Sequence, residues 1–247
     1  MNPWYLIIAN PVLNVLIALS HVLFNSFGLA IIVLTVAIRF AMWPLTRRQL
    51  NSTKAMQAMQ PKIQELQKKY GKNQQKLQQE MMKLYKEAGV NPLGCIWPML
   101  IQFPIWIALY QAIITALATT PDNLLNLSQR LYSWNVVNEA IPLSSYFLGL
   151  NLGTSGNFLL AIVVGGTMWV QQRMTQAPAV DARQESTNRM MLLMMPLMFG
   201  FLTLMFPSGL ALYWAVSNIV GIITQYFVTG GWGYLKFSLP SRAPARK

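Results

Sequence analysis

Charge is scarce in this 247-residue chain, at 11% of residues, less than half the share in an ordinary soluble domain. Acids are scarcer still: seven stand against nineteen Lys and Arg, leaving a formal net charge of +12. The single cysteine, Cys95, excludes an intramolecular disulfide and any cysteine-cluster metal site. The single histidine, His21, leaves no set of ligands for a His-rich metal site and makes a Ser-His-Asp arrangement a poor fit. No P-loop pattern is present. These shortages exclude most catalytic chemistries. We read the chain as a non-enzyme with no catalytic residue, no cofactor and no metal ligand.

What the chain has is long apolar runs, with 54% hydrophobic residues. About 20 apolar residues cross a bilayer as a helix. Five stretches are read as such spans: residues 26–46, 92–118, 156–172, 190–206 and 210–229. Pro98 and Pro104 should bend the second and free backbone carbonyls, and Pro196 lies inside the fourth. Only Pro207-Ser208-Gly209 separates the last two, which predicts a tight helical hairpin. Residues 1–25 are also apolar, but without a basic n-region or a small-residue cleavage site they make a poor signal peptide. Asn10, Asn14, His21 and Asn25 fall on one helical face. That stripe predicts an amphipathic helix lying in the membrane interface rather than a sixth span. The fold class expected is an all-α, polytopic membrane protein.

The charges set the orientation. Residues 46–91 hold ten Lys and Arg, including Arg47, Arg48 and Lys54. Residues 119–155 hold only Arg130, against Asp122 and Glu139. Arg173, Arg183 and Arg189 follow the third span, and Lys236, Arg242, Arg246 and Lys247 close the chain. The positive-inside rule places 47–91, 173–189 and the basic tail 230–247 in the cytoplasm, and the loop 119–155 outside. The N-terminus is then outside and the C-terminus inside, which five spans also require. Within 47–91, Met56, Met59, Ile63, Leu66 and Tyr70 form one helical stripe, and Leu77, Met81, Leu84 and Ala88 a second, on either side of Gly71. This pattern predicts an antiparallel helical hairpin with Lys- and Gln-rich outer faces. Those faces carry no interleaved aromatic residues of the kind that stack nucleic-acid bases, so no nucleic-acid site is expected.

One basic residue, Arg39, falls inside a span. An arginine there costs about 2.5–3.5 kcal/mol on insertion scales. Snorkelling toward the cytoplasmic end would work against the tilt of helical side chains toward the helix N-terminus. The five stretches contain no Asp or Glu to neutralise it. The remaining solution is a hydrated groove among the helices. Thr35 lies one turn before Arg39. Gln102 and Gln111 in the second span, Gln171 and Gln172 at the end of the third, and Tyr213, Trp214, Ser217, Asn218 and Gln225 in the fifth are the polar residues available to wet it. A permanent cation in such a groove attracts acidic groups with little screening, which suits a passage for a polypeptide segment or an anion.

The run from Gly89 to Tyr110 (GVNPLGCIWPMLIQFPIWIALY), the run Asn25–Leu45 and the run Phe206–Asn218 resemble the YidC/Oxa/Alb family of membrane protein insertases. Together they cover nearly the whole chain in the family's order. The chain looks like the short five-span bacterial form. The resemblance implies five helices enclosing a hydrophilic groove that opens to the cytoplasm and to lipid and is closed to the outside. It places the family's groove arginine on Arg39, its threonine on Thr35, its aromatic pair on Tyr213 and Trp214, and its glutamine on Gln171 or Gln172. The client-binding groove expected is therefore Arg39, Thr35, Gln102, Gln171, Gln172, Tyr213, Trp214, Ser217 and Asn218. The partners implied are nascent membrane-protein clients, the ribosome, the Sec translocon, signal-recognition targeting factors and membrane lipids, at a bacterial cell membrane. Met190, Met191, Met194, Met195 and Met198 would give the fourth span an adaptable client-facing or lipid-facing surface. The alternative function is a small-anion transporter or channel built on the same arginine, and a scaffold is a third. The chain shows no internal repeat of the kind common in transporters.

Overall fold

The computed structural model describes residues 3–71, 73–89, 96–117, 121–139, 143–176, 182–233 and 235. Cys95, residues 90–94 of the Gly89–Tyr110 motif and the basic tail from Lys236 lie outside the described residues. Among those described, eleven α-helices and one short hairpin form the fold. A π-helical turn, Tyr5–Ala9, leads into α1 (Asn10–Val22). There follow α2 (Phe27–Ala41), α3 (Trp43–Ala58), α4 (Gln60–Tyr70), α5 (Gln74–Glu87), α6 (Ile96–Ala116), α7 (Pro121–Ser128) and α8 (Asn135–Glu139). Strands β1 (Tyr146–Phe147) and β2 (Leu150–Asn151) pair antiparallel. Then come α9 (Phe158–Thr175), α10 (Ala182–Met205) and α11 (Ser208–Thr229).

Local chemistry explains the element boundaries. Ser26 caps α2 by accepting from the Leu29 N–H, Asn157 caps α9 through the Leu160 N–H, and Asn73 caps α5 through the Lys76 N–H. Gly230, at φ 78°, closes α11 in the left-handed conformation that glycine adopts without strain. Between α2 and α3 the chain bends by 61° at Met42. Pro44 supplies no N–H to the preceding turn and its ring crowds the carbonyl four residues back, so the helix is interrupted there. Pro61 accompanies the next break, at Met59.

Among the described residues, three helices are long and apolar enough to cross a bilayer: Tyr5–Val22, the Glu185–Met205 part of α10, and α11. A fourth is added if the bent pair α2–α3 counts as one span. Length and hydropathy thus give three or four where the sequence suggested five. The described apolar part of α6, Leu100–Ala116, is shorter than a span, and α9 loses apolar length to its closing Gln171-Gln172-Arg173.

The first half of the N-terminal polar stripe faces inward, whereas His21 is half-buried and Asn25 is exposed. Asn10 and Asn14 are buried. The Asn14 amide donates to the backbone oxygens of Asn10 (2.8 Å) and Arg130 (2.9 Å), and its side-chain oxygen accepts from the Tyr132 N–H (2.7 Å). The loop that crosses this helix would otherwise bury unpaired backbone groups, and Asn14 satisfies them. The outer surface of the segment is apolar instead, with Leu6, Ile7 and Val22 exposed.

The core lies where α1, α2, α6 and α11 meet. Leu16, Ile17, Phe27, Ile31, Leu109, Ile113 and Leu210 are fully buried there. The β-hairpin docks on α2, with Phe147 seated over Gly28. Further along the bundle, α9 packs between α10 and α11. Helices α4 and α5 lie apart from this core and pack on each other through Met59, Ile63, Met81, Leu84 and Tyr85.

Candidate functional site

Arg39 occupies the last turn of α2, on the side facing α11. Its Nε donates to Ser217 Oγ at 2.8 Å, and one terminal nitrogen donates to the same oxygen. Ser217 is 3% exposed. A hydroxyl accepts these bonds but carries no charge. Among the described residues no carboxylate pairs with Arg39, so its positive charge is held in place without being cancelled.

A cavity of about 250 Å³ adjoins the guanidinium. Four helices wall it: α2 through Arg39, α6 through Gln102, Phe103 and Trp106, α10 through Phe199, and α11 through Tyr213, Trp214, Ser217 and Asn218. The spacing on α11 puts Tyr213, Trp214, Ser217 and Asn218 on adjoining rows one turn apart. The Gln102 amide donates to the Tyr213 hydroxyl across the cavity. Asn218 points toward α9, donating to Thr167 Oγ1 at 3.1 Å and to the Val164 carbonyl. Polar groups and aromatic faces therefore share the lining, and the volume has room for several waters.

At the Phe206 end, aromatic rings stack over the cavity. Trp106 meets Phe206 at 5.9 Å and Trp214 at 5.4 Å between ring centroids, and Tyr110 meets Phe206 at 5.4 Å. Phe199 and Phe206 both contact Trp214 edge-on, at 6.0 and 5.8 Å. Such edge-to-face pairs hold well beyond their buried area. Trp106, Phe199 and Trp214 line the cavity, and Phe206 and Tyr110 extend this aromatic cluster beyond its lining.

Six residues of the expected groove thus line one cavity: Arg39, Gln102, Tyr213, Trp214, Ser217 and Asn218. Thr35 is buried at 1% exposure and donates to the Ile31 carbonyl at 2.6 Å, behind the cavity wall. Gln171 and Gln172 also lie outside the lining. Gln171 packs on Gly221 of α11, where any Cβ would come within 2.6 Å of its amide nitrogen. Gln172 turns the other way, with its amide 3.8 Å from the Met195 sulfur on α10.

Sequence reasoning missed Phe103, Trp106 and Phe199 as wall residues, because isolated aromatic residues in apolar runs carry no periodic signal. It also missed a polar contact at the far end. There Gln57 of α3 donates to the Thr175 carbonyl at 2.5 Å, and Gln225 donates to Thr175 Oγ1 at 2.7 Å. A smaller cavity of about 160 Å³ lies beside these residues. A Gln on a Gln- and Lys-rich helix reads as solvated surface, which concealed Gln57.

The family model for the 60Kd inner membrane protein matches residues 19–232 of this chain. A protein named membrane protein insertase YidC from Nitratidesulfovibrio vulgaris is 33% identical over 226 residues, 91% of this chain and 38% of its own length. Proteins of the same name from Actinobacillus succinogenes and Tolumonas auensis are 35% and 36% identical, over 92% and 91% of this chain. The chain spans 38% and 36% of those two relatives' lengths.

Proposed function

Because the chain belongs to the family of the 60Kd inner membrane protein, the YidC/Oxa family, we propose that it is a membrane protein insertase whose working element is the Arg39 cavity. One observation carries this reading: a fixed guanidinium, uncompensated among the described residues, beside a mainly apolar cavity into which a few polar groups are set, with an aromatic cluster at one end. The client's polar segment enters the cavity from the cytoplasm. Gln102, Tyr213, Ser217 and Asn218 replace part of its lost hydration, which lowers the barrier to moving polar groups into hydrocarbon. Arg39 attracts an acidic group, worth about 4 kcal/mol at 4 Å for an effective dielectric of about 20. The attached apolar segment leaves sideways past α6 and α10 and is then driven into lipid by burial of its apolar surface. The membrane potential assists an acidic tail outward by about 2.3 kcal/mol per charge per 100 mV.

The topology proposed with this function has five spans, the N-terminus outside and the C-terminus in the cytoplasm, at a bacterial inner membrane. Residues 1–25 lie along the outer interface, where Asn14 fastens the loop near Arg130 and Tyr132. The α4–α5 pair forms a cytoplasmic platform for the ribosome, the Sec translocon or targeting factors. The small-anion transporter finds no support, since the relatives named above are insertases.

Photocrosslinking during client synthesis tests the reading. A photoreactive residue in place of Gln102 or Trp214 should yield adducts with the client's polar segment, while one in place of exposed Leu6 should not. Absence of adducts at both cavity positions during active insertion would remove the cavity from the pathway.

A further inference from the structure

Helix α10 carries a second feature, on its side away from the Arg39 cavity. Only 11% of its span is buried. Along its seam with α9 runs an apolar groove of about 520 Å³, lined by Gly165, Gly166, Gly200, Trp169, Leu197 and Phe201 among others. The two helices cross closely. A Cβ at Gly165 would stand 3.2 Å from the Pro196 carbonyl oxygen, and one at Gly200 would stand 3.2 Å from that of Ala161. Gly166 is different: no atom comes within 4 Å of a Cβ placed there, so its missing side chain leaves open groove.

Toward the N-terminal end of α10, Leu193 also borders an open hollow of about 470 Å³ whose described lining, all on α10, includes Glu185, Ser186 and Arg189. Glu185 and Arg189 lie four residues apart, the spacing at which opposite charges usually pair along a helix. Both are exposed, and among the described residues neither makes an ion pair or a hydrogen bond. The result is one cation, one anion and one hydroxyl next to the end of an apolar groove.

We propose that this surface groove binds a phosphatidylethanolamine lipid. The phosphate lies at Arg189 and Ser186, the primary ammonium at Glu185, and an acyl chain runs past Leu193 and Leu197 toward Phe201. The dimensions agree. Arg189 and Phe201 are twelve residues apart, about 18 Å at ~1.5 Å per residue, close to the ~15 Å depth of one hydrocarbon leaflet. The charges favour this headgroup over others. A lipid with only a negative charge satisfies Arg189 but faces Glu185 without a counter-ion. A quaternary ammonium offers Glu185 no N–H to donate. An apolar helix of another protein, or a second copy of this chain, would leave both charges unused.

Native mass spectrometry of the full chain, with phosphatidylethanolamine, phosphatidylcholine and phosphatidylglycerol of matched chains in competition, tests the site. Phosphatidylethanolamine should be retained about tenfold over phosphatidylcholine, the difference expected from one charge-assisted hydrogen bond. Glu185→Gln keeps an acceptor but removes the charge that assists the bond, and should reduce that preference to less than about twofold. Arg189→Gln should weaken all three lipids. Gly166→Phe fills open space without touching the charges and should displace the bound lipid. Equal retention of the three lipids, unchanged by Glu185→Gln and Gly166→Phe, would overturn the proposal. So would a dimer without bound lipid that Gly166→Phe dissociates.

Discussion

At the residue scale, everything turns on how Arg39 is held. A guanidinium has five N–H donors and no acceptor. Here the Nε and one terminal nitrogen both converge on Ser217, which fixes the plane of the group, and among the described residues the other terminal nitrogen donates to no acceptor. The aromatic cluster around Phe206 is the second residue-scale device. If it forms the outer seal, a cysteine replacing Gln102, in a chain carrying Cys95→Ser, should react with a membrane-impermeant thiol reagent from the cytoplasmic side only. Adding Trp106→Ala removes the ring contacts to Phe206 and Trp214. Labelling from the outside should then appear. Outside labelling of the Gln102 cysteine with Trp106 intact would contradict the seal.

At the element scale, proline and glycine decide the geometry. The Pro44 bend turns α3 under the bundle, where Gln57 reaches the end of α9. This divides residues 47–91 in two: α3 is joined to the bundle, while α4 and α5 contact mainly each other. Deleting 60–87 behind a short linker should therefore leave a folded, membrane-inserted protein with impaired client insertion. A deletion that begins at residue 50 removes Gln57 as well and should lower the yield of protease-resistant protein. Equal protease resistance of the two deletions would show that the α3 contact carries no structural weight. Gly28 makes a similar point at the opposite end. A Cβ there would overlap Phe147, 2.1 Å away. Gly28→Leu should lower stability by about 1–3 kcal/mol, the usual cost of overpacking, read as a fall in the thermal midpoint. Gly166→Leu, in open space, should leave the midpoint nearly unchanged.

Across the whole molecule three tiers follow one another. A dry core of Leu16, Ile17, Phe27, Leu109 and Leu210 comes first, the Arg39 cavity second, and the Gln57–Thr175–Gln225 contacts last. The sequence revealed the middle tier because charge inside an apolar run is expensive and therefore conspicuous. Helical spacing on α11 brought Tyr213, Trp214, Ser217 and Asn218 with it. It did not reveal that Thr35 would satisfy itself on the Ile31 carbonyl, nor that Gln171 would fill the notch at Gly221. Both depend on which side of a helix meets a neighbour, and periodicity in a uniformly apolar segment does not report that. The Asn10–Asn14 stripe was visible as a pattern but was assigned to water, because its partner, the backbone near Arg130 and Tyr132, is remote in sequence.

In the mechanism proposed, the Arg39 charge acts on acidic groups in transit. The decisive measurement is insertion of a client with an acidic tail, and of its neutral-tailed counterpart, into vesicles holding Arg39→Ala or Arg39→Lys protein. Arg39→Ala should slow the acidic client about tenfold, equivalent to about 1.4 kcal/mol, and the neutral client less than about twofold. Arg39→Lys should restore much of the loss, because a lysine keeps the charge without the fork. Wild-type insertion of the acidic client by Arg39→Ala, or equal slowing of both clients, would contradict the account.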